Sequence, residues 1–411
     1  MSRDSTVVVV GGGPAGATTA YWLARSGVAV TLVDRARFPR AKPCAEYLSP
    51  QASLLLHEMG TLEAVESAGA AQLTGVRIRS ANGTTFEGRF AADHGYHAFR
   101  DRGLAIPRLE LDTILLNAAR AAGVRVEEGW RVSGLDRDAA GRVTGVVGTN
   151  GAGTASTLRS SVVVGADGLR SIVARELGLA RRSRVPERYA CVTHFSGVKG
   201  VGDTAEMHVA ANGYLGLANV GKGRTNVALV VPAAEIATAH HGAQRFLSAW
   251  IAGHPHLAQR FSQARSLTPV LATGPFASQA RRAWAPGAAL VGDAADFFDP
   301  FTGEGIYAAL RGGELLAPFV AQAARAHSDE DADTALREYA SRHRAEFRGK
   351  RIVEQIVGLA VAYPVLLNRA ARALAKRQEM ADLLIGVAGD FVPPREVLRP
   401  RFLFNVFGAV T

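Results

Sequence analysis

A glycine-rich turn near the start of the chain is the clearest chemical signal in the sequence. Gly11, Gly13 and Gly16 have the spacing GxGxxG. They follow the apolar run Val7–Val10, a predicted strand, and open the predicted helix Pro14–Ser26. In this pattern the first glycine permits the tight turn, the second lets backbone approach a pyrophosphate, and the third lets helix and strand pack closely. The turn therefore predicts a dinucleotide site, with the phosphates at the positive end of the helix.

An acidic residue completes this pattern. Asp34 lies 18 residues beyond Gly16, at the end of the predicted strand Val28–Val33. A carboxylate in this position can accept hydrogen bonds from the ribose hydroxyls of a dinucleotide. Strand, helix and second strand in this order predict a βαβ unit of the Rossmann type.

Two later motifs also place an aspartate beside glycines after a buried strand. Asp167 lies in Gly165–Ser171, and Asp293 lies in Gly292–Ala295. Together with the N-terminal turn, the three motifs in this order resemble the para-hydroxybenzoate hydroxylase-type FAD family, and the resemblance spans nearly the whole chain. It implies that FAD is the cofactor. It further implies that Asp167 helps to hold FAD near the nicotinamide path and that Asp293 bonds the flavin-side ribose or ribityl chain.

Two further features follow from this resemblance. Arg108 matches an arginine that contacts FAD phosphate or ribityl groups in the family, although Asp112 one helical turn later makes a purely structural ion pair the alternative. The segment Gly303–Ile306 begins a predicted helix. The positive end of that helix would face the flavin pyrimidine edge and stabilise negative charge on the reduced cofactor.

Within the family, the segments Phe38–Glu46 and Phe298–Ile306 resemble the geranylgeranyl reductase branch. The sequence departs from that branch at Ala45, where glycine is usual, and at Arg175, which comes one residue later than usual. The resemblance implies that Cys44 lies beside the flavin and shapes protonation or substrate access. The alternative is a small buried thiol with no such role.

The aromatic substrate signature of that branch, Tyr-x-Trp-x-Phe-Pro, aligns with Tyr214–Asn219. Here Gly216 replaces the Trp and Ala218 replaces the Phe. Alternate residues of a strand share one face, so both positions are predicted to point toward the flavin. The loss of two aromatic rings predicts a wider cavity than a narrow prenyl channel, and it argues against a simple geranylgeranyl substrate. Tyr214, Gly216 and Ala218 are the predicted substrate-binding residues.

The residues predicted to bind the cofactor belong to these motifs and their neighbours: Gly11, Gly13, Pro14, Ala15, Gly16, Asp34, Arg35, Arg40, Cys44, Arg108, Asp167, Gly292, Asp293, Pro300, Gly303, Gly305 and Ile306. Cys44 is also the catalytic candidate. No metal site is predicted. The histidines that are assigned no catalytic role are His194, His208, His240 and His241.

The predicted strands and helices around these residues indicate an α/β fold with an α+β insert. Gly75–Phe90 alternates as a hairpin through Asn82-Gly83, and Arg188–Pro232 contains several short strands that predict an antiparallel sheet. We therefore predict a Rossmann-like FAD-binding domain of the GR2 type from residues 1–74, 99–185 and 276–345. An antiparallel substrate-binding sheet comes from residues 75–98 and 186–275, and a C-terminal helical region from residues 346–411.

Length, charge and cysteine content limit the kinds of partner and the cellular compartment that the sequence predicts. The chain has 411 residues and a formal charge of +10, and the part from Arg337 onward, with 13 basic and 7 acidic residues, carries +6 of it. Because no aromatic-studded sheet or zinc-finger pattern accompanies this charge, nucleic-acid binding is not predicted. A solvated helical face is the favoured interpretation, with peripheral membrane contact as the alternative. Two cysteines and no predicted membrane span favour a cytoplasmic protein, expected to be a monomer or weak dimer.

Three functions remain open from the sequence. The first is an NAD(P)H-using FAD monooxygenase that hydroxylates or epoxidises a bulky apolar, natural-product-like metabolite, with molecular oxygen as co-substrate. The second is an FAD-dependent alkene reductase or dehydrogenase of the geranylgeranyl reductase type. The third is a flavoprotein in which FAD is structural and the substrate is bound or cyclised without net redox change. Because no second Rossmann fingerprint is present, NADPH or NADH is predicted to visit transiently.

Overall fold

The fold begins with the predicted βαβ unit. The computed structural model describes residues 6–181, 187–236 and 242–408, so His240 and His241 lie outside the described residues. The buried valines of the first strand explain why it forms the centre of a sheet, and Pro14 begins the following helix at a position where proline is favoured.

The strands in chain order are β1 (Thr6–Val10), β2 (Ala29–Asp34), β3 (Tyr47–Leu48), β4 (Ala71–Leu73), β5 (Gly75–Arg79), β6 (Thr85–Arg89), β7 (Gly103–Ala105), β8 (Arg125–Glu128), β9 (Arg131–Arg137), β10 (Val143–Thr149), β11 (Ala155–Arg159), β12 (Val162–Gly165), β13 (Ala180–Arg181), β14 (Arg188–Ser196), β15 (Thr204–Ala210), β16 (Gly213–Asn219), β17 (Thr225–Pro232), β18 (Arg265–Ser266), β19 (Leu271–Thr273), β20 (Ser278–Ala280), β21 (Trp284–Ala285), β22 (Ala288–Leu290) and β23 (Asp296–Phe297).

The α-helices in chain order are α1 (Pro14–Arg25), α2 (Ala52–Glu58), α3 (Leu62–Ser67), α4 (Arg108–Ala121), α5 (Ile172–Glu176), α6 (Ala233–Ile236), α7 (Ala243–Ala252), α8 (Pro255–Phe261), α9 (Gly305–Arg325), α10 (Asp329–Ala362), α11 (Pro364–Ala375), α12 (Gln378–Ala388), α13 (Arg395–Leu398) and α14 (Pro400–Phe407). Two short 3-10 helices, Gly292–Ala294 and Pro300–Thr302, precede α9.

The first sheet has the order β21-β22-β12-β1-β2-β8. Its neighbours pair in parallel, except that β21 joins β22 antiparallel. Helices α1, α9 and α10 pack on one another beside this sheet, and their apolar side chains share its core. This is the predicted Rossmann-like α/β unit. Because parallel strands end at one edge, the turns after β1, β2, β12 and β22 meet there, where ligands bind in such sheets.

A second sheet has the order β18-β14-β17-β16-β15-β5-β6, with β19 beside β14. Strands from both predicted segments, 75–98 and 186–275, therefore join in one sheet. Its pairing is antiparallel apart from β5, which runs parallel to β15. The predicted hairpin through Asn82-Gly83 joins β5 to β6, and Gly83 has the positive φ of 89° that such a turn requires.

The C-terminal helices pack on the second sheet. The backbone N–H of Arg89 in β6 donates to Asp382 Oδ1 of α12 at 2.7 Å. A side chain at Gly88 would overlap Ile385 of α12, so this strand and helix approach as closely as glycine permits. Helix α10 continues without a break through residue 345, where the FAD-binding domain was predicted to end. Within the described residues no single helix could cross a membrane, although α10 and α11 meet the length and hydropathy requirement as a pair bent by 111°.

His343 gives α10 an acid-sensitive position. Its side chain is buried between the rings of Tyr339 and Phe347, at centroid distances of 5.6 and 4.9 Å. Burial lowers the pKa of this imidazole from 6.5 to about 4. Because the folded pKa is depressed, the unfolded chain binds the proton first, and stability is lost as the pH falls from about 6.5 toward 4.

The unfolding free energy of the wild type should decrease between pH 7 and pH 5, and about 2 kcal/mol of this decrease should come from protonation of His343. We expect His343→Gln to lack this part of the decrease, since glutamine cannot take up the proton. Urea denaturation of both proteins at the two pH values measures this difference. The exposed His97, changed to Gln, serves as the matched control and should follow the wild type. Parallel losses in wild type and His343→Gln would contradict the prediction.

Candidate functional site

A single large cavity joins the edge of the parallel sheet to one face of the second sheet. Its walls come from the glycine turn, the segment after β2, the start of α4, the second sheet and the loop before α9. The residues that line it include Gly13, Pro14, Ala15, Lys42, Cys44, Glu46, Tyr47, Arg108, Tyr214, Gly216, Ala218, Asn226, Asp293, Pro300, Thr302, Gly303, Gly305 and Ile306.

The glycine turn has the geometry that its spacing predicts. Gly11 has a φ of +105°, and a Cβ there would lie 2.5 Å from the carbonyl oxygen of Ala166. A Cβ at Gly16 would lie 1.8 Å from the carbonyl oxygen of Gly11, so these two glycines are needed for the packing of α1 on the turn. Gly13 has more free space than these two glycines. A Cβ there would contact only the ends of side chains, at 3.5 Å or more.

Positive charge surrounds the space in front of Gly13. A Cβ at Gly13 would lie 3.5 Å from Arg40 Nη2 and 3.8 Å from Arg108 Nη2. Asp112 binds both guanidinium groups, at 2.6 Å from Arg108 Nε and 3.1 Å from Arg40 Nη1, so the predicted ion pair exists and also holds Arg108 at the wall. Burial, with the adjacent Arg108, lowers the pKa of Lys42. These cations at the start of α1 form a site for a phosphate-bearing ligand.

The three predicted substrate-binding residues lie on the face of the second sheet that lines the cavity. In the pairing of β16 with β17, Gly216 is opposite Ala228 and Ala218 is opposite Asn226. Tyr214 lies two residues before Gly216 and shares its face. With glycine and alanine at these positions, the sheet presents little side-chain bulk here, and the cavity is wider than it would be with aromatic rings.

The hydroxyl group of Tyr214 is held by an ion pair between Asp299 and Arg188. Its hydroxyl donates to Asp299 Oδ1 at 2.6 Å, and Asp299 Oδ2 lies 3.0 Å from Arg188 Nη1. Burial and the neighbouring Asp299 carboxylate raise the pKa of Tyr214 well above its usual value. Tyr214 therefore stays protonated and ties the second sheet to the loop before α9.

Cys44 and Glu46 line the cavity, and sequence reasoning gave Glu46 no role. Glu46 is buried, and its Oε2 accepts from Asn226 Nδ2 at 2.9 Å and lies 2.6 Å from His194 Nε2. Its backbone N–H donates to Cys44 Sγ at 3.3 Å. His194, assigned no role from the sequence, thus belongs to the site. The βαβ pattern of the sequence carries no signal for the Glu46–His194–Asn226 group, because its members come from a loop and from two strands of the second sheet.

Comparison with known proteins identifies the family. A family model described as an FAD binding domain matches residues 4–354. The chain belongs to this FAD-binding family. It is 30% identical over 333 residues to a menaquinone reductase of Mycobacterium tuberculosis, covering 77% of each chain. It is 28% identical over 394 residues to digeranylgeranylglycerophospholipid reductase 2 of Methanopyrus kandleri, covering 94% of this chain and 93% of the relative.

A shorter match joins this FAD-binding chain to 6-methylpretetramide 4-monooxygenase of Streptomyces rimosus, with 37% identity over 175 residues, 42% of this chain and 40% of the relative. Among solved structures, a flavin-dependent brominase shares the fold with a TM-score of 0.81 at 18% identity, covering 97% of this chain and 98% of the other. The predicted cofactor, FAD, and the predicted resemblance to geranylgeranyl reductase-like flavoproteins are confirmed, and the chain is an FAD-dependent oxidoreductase.

The cavity fits FAD. The open space before Gly13, among guanidinium groups, suits the pyrophosphate. The hydroxyls of Tyr47 and Thr302 are buried at the cavity wall without a hydrogen-bond partner among the described residues, so they remain available to a ligand. Helix α9 begins at Gly305 in the same wall, and its N-terminal N–H groups would face the flavin as predicted. When bound, FAD supplies hydride or oxygen chemistry at this place.

Several predicted cofactor residues lie behind the cavity wall or outside it. Asp34 Oδ2 accepts from the backbone N–H of Gly12 at 2.7 Å and so fixes the glycine turn, whereas Arg35 is exposed. Asp167 accepts from Ser171 Oγ at 2.5 Å and from the N–H of Ile172 at 2.7 Å, which anchors α5. For these residues, direct contact with FAD stays a prediction.

Asp293 faces the cavity in the 3-10 helix Gly292–Ala294, and it has no hydrogen-bond partner among the residues described. Because a hydrogen bond to a charged group contributes about 1.5–3 kcal/mol, we expect Asp293→Ala to weaken FAD binding by about 10- to 100-fold. Titration of FAD into the apoprotein, followed by flavin fluorescence, measures this change. Asp203→Ala, at an exposed acid, is the matched control. An unchanged FAD affinity would remove Asp293 from the cofactor site.

Proposed function

We propose that this FAD-dependent oxidoreductase reduces a carbon–carbon double bond in a bulky apolar molecule of isoprenoid or prenylated type, with NAD(P)H as the reductant. The observation that carries the proposal is an apolar cavity that adjoins the cofactor turn and contains the Cys44 thiol at its wall. Such a cavity suits a water-insoluble substrate.

The lining supports a large apolar substrate. Val76, Val192, Met207, Phe276 and Phe301 supply apolar surface around the small side chains of the sheet. Cys44, Glu46 and Asn226 form a polar end of this cavity. A substrate would thus be held mainly by apolar contacts, with its reacting bond positioned at the polar end.

The extent of similarity also favours reduction. The two reductases are similar over 77% or more of this chain, whereas the monooxygenase is similar over 42%. The similarity to the reductases therefore extends over more of this chain than the similarity to the monooxygenase does. This supports a reductase without naming its substrate.

A second candidate is the monooxygenase predicted first from the sequence. The specific observation that favours it is the absence of aromatic rings at Gly216 and Ala218, which gives room for a polycyclic molecule. In that case the cavity would bring a substrate carbon close to the site of oxygen activation, and molecular oxygen would be the co-substrate.

Anaerobic stopped-flow absorbance distinguishes the two. The holoenzyme is reduced with NADPH or NADH without oxygen and mixed with a prenylated naphthoquinone, a geranylgeranyl lipid or a polycyclic aromatic probe. A reductase reoxidises its flavin anaerobically, and the product gains two hydrogen atoms by mass spectrometry. A monooxygenase leaves the flavin reduced until oxygen is added, and its product gains one oxygen atom. A protein that changes no probe in either condition contradicts both.

A further inference from the structure

We propose that Glu46 is the proton donor to the substrate in this cavity and that His194 restores its proton from solvent. The proposal rests on the proposed reduction, in which a hydride adds to one carbon of the double bond and a proton must add to the other. NAD(P)H is the source of the hydride, and the proton comes ultimately from water. Neither residue has been assigned such a role by the family resemblance.

The backbone at Glu46 is strained, which is typical of functional positions. Glu46 has a φ of +62°, a conformation that costs a non-glycine residue about 1–3 kcal/mol. Its side chain is 4% exposed and lines the cavity. The backbone O of Glu46 accepts from the N–H of Ile106 at 3.1 Å, which holds this conformation. The fold therefore places a carboxyl group inside an otherwise largely apolar space.

Three separate elements aim hydrogen bonds at this carboxyl group. The N–H of Arg108, at the start of α4, donates to Oε1 at 2.9 Å. Asn226 of β17 donates to Oε2 at 2.9 Å, and His194 of β14 lies 2.6 Å from the same oxygen. His194 and Asn226 are direct partners in the β14–β17 pairing, so their side chains share the cavity face. The position of Glu46 is thus set by a backbone N–H at the start of α4 and by two side chains of the second sheet.

His194 connects Glu46 to solvent. Its side chain is 16% exposed, unlike that of Glu46. On the side away from Glu46, its Nδ1 lies 3.4 Å from Thr268 Oγ1, and Thr268 is an exposed residue. A proton can therefore pass from the surface to His194 and then to Glu46 over one hydrogen bond of 2.6 Å. This is the geometry expected of a buried acid that must be reloaded after each turnover.

Glu206, a second acidic residue at the cavity wall, cannot serve this purpose. It lies on β15 next to Met207, and its side chain is on the opposite face of the strand from that of Met207, where Arg260 and His208 bind it. Although burial alone would raise the pKa of Glu206, the hydrogen bonds from His208 and Arg260 lower it to about 2. Glu206 is therefore an ionised structural group, and its histidine, His208, is a suitable control.

The first experiment examines the pair in the FAD-loaded protein without substrate. Proton NMR of the holoenzyme should show a downfield signal from the proton shared by His194 and Glu46, and this signal should exchange with water. His194→Gln and Glu46→Gln should both remove it, while His208→Gln should leave it in place. If no such signal depends on both residues, the proposal is wrong, whatever the reaction of the enzyme.

The second experiment examines proton donation with a prenylated naphthoquinone or a geranylgeranyl lipid as the probe. Because general acid catalysis contributes about 10²- to 10⁴-fold, Glu46→Gln should slow probe reduction by that factor, with the rate of FAD reduction by NADPH unchanged. His194→Gln should retain a first turnover from the preloaded carboxyl group and slow the following turnovers. His208→Gln should match the wild type.

The outcomes separate this proposal from the function on which it rests. If the wild type reduces no probe, the proposed reduction fails, and the NMR signal still decides whether the proton path exists. If the wild type reduces a probe and Glu46→Gln does so at the same rate, the reduction stands and Glu46 is not the donor. Equal slowing of the first and later turnovers in His194→Gln would overturn the reloading role of that residue.

Discussion

Gly13→Val should give a folded, colourless protein. Gly13 has a φ of −76°, which valine adopts readily, and a Cβ there meets the ends of two flexible arginine side chains at 3.5 and 3.8 Å and no backbone atom. The substitution therefore costs the protein little by itself. It places two methyl groups where the pyrophosphate of FAD must approach the backbone, and FAD binding should be abolished. Flavin absorbance per chain, with circular dichroism for the fold, measures both effects.

Two other glycines provide controls for this result. Gly202→Val, at an exposed position with open space around the Cβ, should keep the FAD content of the wild type. Gly11→Val should fail to fold, because Gly11 has a φ of +105° and a Cβ would overlap the backbone of Ala166. A folded Gly13→Val protein with a full complement of FAD would show that the pyrophosphate does not lie at this turn.

Much of the fold could be predicted because its signals are local. The run Val7–Val10 and the glycine spacing together predict a strand, a tight turn and a helix, and the structure has these elements in β1 and α1. The helix predicted from Pro14 to Ser26 corresponds to α1, Pro14–Arg25. The hairpin at Asn82-Gly83 was equally clear, since few turns other than a tight hairpin require that pair.

The polar end of the cavity could not be predicted in the same way. Glu46 and His194 are 148 positions apart, and the 2.6 Å contact between their side chains depends on how two sheets dock. A single histidine in a strand is usually a packed or surface residue, so the sequence favoured no role for it. Asp167 shows the opposite case, because its motif predicted a ligand contact while its carboxylate binds Ser171 and Ile172. A motif specifies the local turn more firmly than it specifies which polar atoms remain for a ligand.

The double variant Gly216→Trp, Ala218→Phe should abolish turnover of a wide substrate. Both positions lie on the cavity face of β16, so two added rings would fill space inside the cavity. FAD content and reduction by NADPH should remain near the wild-type values, because neither residue adjoins the glycine turn. A narrow, acyclic prenyl probe should be affected less than a polycyclic one, and steady-state rates with both probes measure this difference.

Overpacking must be separated from loss of substrate space. A Cβ at Gly216 would lie 3.3 Å from Met207 Sδ, and inserting bulk into a packed region typically costs about 1–3 kcal/mol. Leu215→Phe is the matched control, since Leu215 packs on the opposite face of the same strand, is 0% exposed and does not line the cavity. It should lower the melting temperature to a similar extent and leave turnover intact. If the double variant is as stable as this control and still converts a polycyclic probe at the wild-type rate, Gly216 and Ala218 do not set the width of the substrate site, and the argument for a bulky substrate fails with them.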